Sequence, residues 1–98
     1  MKFAAVIEYI QDKDKIAEVR PVHREYLKSL MNKGQLFACG PFTDDSGALI
    51  IYEANTDDEA ESLLQNDPFH QNGIFLQYEI RAWKPVMANT DLFPEKST

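Results

Sequence analysis

With 98 residues the chain has room for one domain, not for a catalytic module plus a regulatory one. Hydrophobic residues make up 44% and charged ones 27%, a balance that excludes a disordered chain. Ten Lys and Arg against sixteen Asp and Glu give a net charge of −6, which argues against a phosphate-backbone partner. No apolar run approaches the ~20 residues needed to span a bilayer, and a single cysteine, Cys39, excludes an intramolecular disulfide and multi-cysteine metal motifs. Neither nucleic acid nor membrane is expected as a partner, no metal or cofactor is implied, and a cytoplasmic location is expected.

The first predicted element is a strand over about Lys2–Tyr9, where Val, Ile and aromatics alternate. A helix is predicted over Asp14–Lys33, with the apolar stripe Ile16, Val19, Tyr26, Leu27, Leu30 and a stop at Gly34. Pro21 lies inside that stripe, so either a kink or a helix start is expected there. A second strand covers Gln35–Cys39, and the turn-rich run Gly40–Gly47 leads into a third, Ala48–Glu53. Thr56-Asp57-Asp58-Glu59 has the form of a capping box opening a helix that Asp67-Pro68 stops near Asn66. The longest strand, Ile74–Trp83, comes last; residues 1–85 form the predicted domain and 86–98 a polar tail.

The order β-α-β-β-α-β predicts an α+β, ferredoxin-like fold: a four-stranded antiparallel sheet carrying both helices on one face. Both alternation sets of the first and third strands are apolar, Phe3, Ala5 and Ile7 against Ala4 and Val6, for example. The sheet face away from the helices is then too apolar to leave in water, and a homodimer through that face is expected.

In this topology the two helices run antiparallel. His23 stands about ten residues, roughly 15 Å, from the far end of the first helix, and Asp67 stands at a similar height at the end of the second. The two are expected to meet, with Gly40, Pro41 and the end of the first strand at Tyr9 on the same side. A carboxylate bonded to one imidazole nitrogen fixes the tautomer and frees the other nitrogen to move a proton. Alternatively His23 merely bridges two helices, and Asp67 is a turn-forming carboxylate at a helix end. His70, three residues beyond Asp67, lacks any metal-binding spacing. Cys39 reads as a buried small hydrophobe. Arg20 and Arg24 suit a substrate carboxylate, though pairing with nearby acids is the commoner fate of such side chains. Between Asp44 and Asp67 lie eight acids and no Lys or Arg, which reads as a solvated face.

Arg20-Pro21-Val22-His23-Arg24-Glu25-Tyr26-Leu27, Gly34, Gly40-Pro41 and Asp67-Pro68-Phe69 together resemble the YCII-like (YciI-related) family over about residues 1–85. The resemblance implies a dimeric α+β barrel of ferredoxin-like subunits, with a His-Asp dyad at His23 and Asp67. Some members act as dehydrochlorinases, and the family is similar to muconolactone-isomerase-like proteins. The expected function is therefore a lyase or isomerase of uncertain substrate, His23 and Asp67 serving as acid/base dyad. Arg20, Gly40, Pro41, Phe69 and Tyr9 would contact a small anionic organic ligand. The alternative is a non-catalytic small-ligand-binding or accessory dimeric module. The segment Leu92-Phe93-Pro94, beyond the matched region, is expected either to dock on the partner subunit or to be disordered.

Overall fold

A computed structural model describes residues 1–93. Strand β1 (Lys2–Tyr9) is followed by helix α1 (Lys13–Asn32), strands β2 (Leu36–Pro41) and β3 (Gly47–Glu53), helices α2 (Asp57–Gln65) and α3 (Pro68–Gln71), and strand β4 (Phe75–Trp83). The sheet is antiparallel throughout, in the order β2-β3-β1-β4, with β2 and β4 at its edges. This is the ferredoxin-like arrangement expected from the element order.

Helix α1 does not start at Pro21: it begins eight residues before the proline, at Lys13, and runs through it. Asp12 caps it, its side chain accepting from Lys15 N–H. Pro21 has no N–H to give the Ala17 carbonyl, but Ala17 is exposed and its oxygen can be hydrated. The buried stripe is Ile16, Val19, His23, Leu27 and Leu30, a spacing of three and four that lays one face on the sheet. The helix ends in a Schellman motif: Gly34, at φ 73°, lets Gln35 N–H reach the Leu30 carbonyl at 2.8 Å.

At α2 the Thr56 hydroxyl accepts from Glu59 N–H at 3.1 Å. Only this half of the capping box is formed among the described residues. The Asp67-Pro68 pair does more than stop α2. Asp67 caps the additional helix α3, with Pro68 at its first turn, where a missing N–H costs nothing. An Asx-Pro pair is as much a start signal for a helix as a stop, and here it is both.

The core lies between the sheet and the helices, with Phe3, Ala5, Ile7, Ile50, Tyr52, Leu64, Phe69 and Ile74 essentially sealed from solvent. On the opposite face Val6 stands opposite Leu49 and is flanked on β4 by Glu79. Val6, Leu49, Phe37 and Phe42 remain exposed, whereas β4 presents Gln77, Glu79 and Arg81 alongside them. From Lys84 to Phe93 the chain is irregular except for a 3-10 turn at Thr90–Leu92. Leu92 and Phe93 are exposed; Pro94, part of the expected docking segment, and the rest of the tail to residue 98 lie outside the described residues. No described helix is long and apolar enough to cross a membrane.

Gly47 stands opposite Glu8 in the β1–β3 ladder, where there is no room for a side chain. A β-carbon there would stand 1.8 Å from the Ile7 carbonyl oxygen and 2.9 Å from its carbonyl carbon, both backbone atoms that cannot step aside. Gly47→Ala is expected to cost about 3 kcal/mol, the upper end for an overpacked site. Urea denaturation of the variant measures this, and an unchanged midpoint would refute it.

Candidate functional site

His23 and Asp67, 44 positions apart, are in contact: His23 Nδ1 lies 2.7 Å from Asp67 Oδ1. Helix α1 brings the imidazole, on its buried stripe, to the level where α2 ends and α3 begins. The same Oδ1 accepts the Phe69 N–H at 2.8 Å, as an N-cap carboxylate does. An oxygen already accepting from an amide is an acceptor for the ring as well. The hydrogen-bond pattern therefore assigns the proton to Nδ1 and leaves Nε2 as the basic nitrogen of the neutral ring.

Phe69 holds the pair a second way. Its ring stacks on the imidazole at a centroid distance of 3.8 Å and an interplanar angle of 4°. Tyr9 meets Phe69 edge-on at 5.4 Å, and Phe75 lies stacked on Tyr9 at 6.1 Å. Such contacts leave the imidazole little freedom to rotate about its side-chain bonds. Asp67 is completely buried, and its other oxygen, Oδ2, has no hydrogen-bond partner among the described residues.

Beside His23 a cavity of about 190 Å³ opens, walled by Tyr9, Leu27, Gly40, Pro41, Ile50 and Phe69, with Arg20 and Arg24 reaching it from α1. His23 lies in the wall and Asp67 behind it. Of the residues singled out from sequence, Tyr9, Arg20, His23, Gly40, Pro41 and Phe69 line this one space. Arg20 is not free within it: its Nη2 donates to Asp45 Oδ1 at 3.0 Å. Sequence reading missed Leu27, Ala48 and Ile50, which look like ordinary core positions and become walls only where the packing stops short.

Cys39, expected in the core, is an exposed residue of the edge strand at the cavity's border. Partial desolvation of its sulfur, reinforced by the Asp67 charge, pushes the thiol pKa up, so the reactive thiolate is disfavoured. His70 packs against Phe75 and Tyr78 at about 6 Å and does not line the cavity. Among the described residues no group of three His, Cys, Asp or Glu side chains could hold a metal ion.

A family model described as the YCII-related domain matches residues 1–84. The chain belongs to the YCII-related family. No curated protein matches it. Among solved structures, this YCII-related chain is similar to the 5-chloro-2-hydroxyhydroquinone dehydrochlorinase of Burkholderia phenoliruptrix, determined in complex with 2,5-dihydroxybenzoquinone. The two are 29% identical, with a TM-score of 0.75, and the match covers 86% of this chain and 94% of the other.

The phenols around the site are kept protonated. Burial pushes Tyr9 up to about 12, with the Asp45 and Asp67 charges adding and Arg20 opposing. Tyr26, whose hydroxyl donates to the Leu63 carbonyl at 2.6 Å, is likewise pushed up to about 12 by burial and by Asp67. Tyr52 is raised for the same two reasons. In each case the folded state holds the phenolic proton more tightly than the unfolded chain, whose tyrosines titrate near 10. The stability this gives is complete below pH 10 and is lost as the pH rises toward 12. Urea denaturation at increasing alkaline pH should show that decline, and Tyr9→Phe should make it shallower. An equal slope in the variant would contradict the assignment.

Proposed function

We propose that this chain is a small-molecule enzyme of the lyase or isomerase type, in which His23 moves a proton and Asp67 positions and balances it. The observation that carries the reading is the 2.7 Å His23–Asp67 contact in the wall of a cavity. Nε2 takes a proton from a hydroxyl or an acidic carbon next to a carbonyl. Asp67 stabilises the imidazolium that results. In a dehydrochlorination the proton goes to Nε2 and chloride departs with the bonding pair, so no oxidant or reductant is consumed.

The cavity's size favours a single ring: an apolar cavity of about 150 Å³ accommodates benzene, and this one measures about 190 Å³. Tyr9, a protonated hydroxyl, would donate to a ring oxygen, while Gly40, Pro41 and Phe69 form the walls and Arg20, answered by Asp45, flanks them. The similarity to a dehydrochlorinase supports the same class of chemistry. We place the enzyme in the cytoplasm, where reducing conditions keep a lone exposed thiol such as Cys39 free.

The test uses 5-chloro-2-hydroxyhydroquinone as probe, with chloride release as readout. His23→Gln should lower turnover ~10²–10⁴-fold, and Asp67→Asn should lower it at least tenfold, with both variants folded by circular dichroism. Unchanged turnover in folded His23→Gln would refute the acid/base role. Binding of the probe by the wild type without any chloride release would favour the ligand-binding module instead.

The active form is proposed to be a homodimer joined through the outer sheet face, because Val6, Leu49, Phe37 and Phe42 leave apolar side chains in water there. Light scattering behind size exclusion should give twice the 11.2 kDa chain mass. Val6→Glu together with Leu49→Glu should return it to that of one chain. A wild type that runs as a monomer at micromolar concentration would refute the dimer.

A further inference from the structure

Two guanidinium groups reach the cavity from α1, and they are not equivalent. Arg20 is answered. Its Nη2 donates to Asp45, which sits at φ 61°, the one non-glycine residue with positive φ among the described residues. The hairpin loop holds Asp45 there: its N–H donates to the Phe42 carbonyl at 2.8 Å, and Asp44 accepts from both the N–H and the hydroxyl of Ser46. The Arg20–Asp45 pair therefore presents no net charge to the cavity.

Arg24, one turn further along α1, has no such partner. Among the described residues no carboxylate lies within 4 Å of it. The other acid beside the cavity, Asp67, is committed to His23. A chain of net charge −6 thus places one unanswered cation at the border of a mostly apolar hollow. One positive charge suits one negative charge, and a space of about 190 Å³ holds a ring with a small substituent rather than a phosphorylated chain.

We infer that Arg24 is the specificity-determining residue of this site and selects a ring-sized substrate bearing a single carboxylate. This rests on the reading of the cavity as the substrate site, but not on proton transfer by His23. A guanidinium fits a carboxylate through two parallel N–H bonds, and its selectivity shows as a difference between ligands with and without that group.

The experiment compares 2,5-dihydroxybenzoate with hydroquinone, the same dihydroxy ring lacking the carboxylate, by calorimetric or NMR titration of the full chain. The wild type should bind the carboxylate probe about tenfold or more tightly than hydroquinone. Arg24→Met, which keeps the apolar stem, should erase that preference and leave hydroquinone affinity within twofold, and Arg24→Lys should restore part of it. The inference is overturned if the wild type shows no preference or binds neither probe, if the preference survives Arg24→Met, or if it follows Arg20→Met instead. His23→Gln separates the two readings. A preference that persists in it supports the Arg24 assignment whether or not turnover depends on His23.

Discussion

The site depends on one oxygen atom. Asp67 Oδ1 accepts both the His23 ring N–H and the Phe69 amide, and through them it fixes an imidazole, an aromatic ring and the start of a helix at once. A carboxylate removed from water is costly unless its lone pairs are bonded, and Oδ2 has no hydrogen-bond partner among the described residues, so Oδ1 carries the compensation they give. Losing either donor would strand a buried acceptor, which ties the integrity of this corner to the same contacts that orient the imidazole. The parallel stacking of Phe69 on His23 closes the arrangement. One residue grips the carboxylate with its backbone and the imidazole with its side chain.

The sheet and helices make that meeting possible at low strain. Helix α1 carries His23 on the same face as Val19 and Leu27, so the side chain proposed to move the proton is delivered by the periodicity that builds the core. Helix α2 then needs only nine residues to bring the chain to the same height. A short α3 turns it, and the bond from Ile74 N–H to the Phe69 carbonyl at 2.8 Å returns it to the sheet. The 29% identity to a dehydrochlorinase with a TM-score of 0.75 shows how far the sequence can drift within this fold.

Much of this was legible in the residues. The alternation of Lys2–Tyr9, the stripe from Ile16 to Leu30 and the Thr56 cap fix three elements, and counting residues along two antiparallel helices puts His23 and Asp67 level. The illegible parts share a cause: they depend on contacts between segments that no local pattern encodes. Asp45 looks like a loop acid until the hairpin's left-handed turn aims it at Arg20. Cys39 reads as core because its neighbours are apolar, yet β2 is an edge strand and leaves it exposed. Helix α3 was missed because four residues carry no periodicity, only the Asp-Pro start. Arg20 and Arg24 look alike in sequence, and only the folded loop tells them apart.

Pro41 closes β2, the strand at the open margin of the sheet, and is also part of the cavity wall. A proline has no amide hydrogen to offer an incoming strand, so the ladder cannot be lengthened past this point by a neighbouring chain. The rim of the hollow is thus protected against edge-to-edge pairing by the chemistry of its own backbone. An opening is kept beside the imidazole where a sheet would otherwise invite a fifth strand.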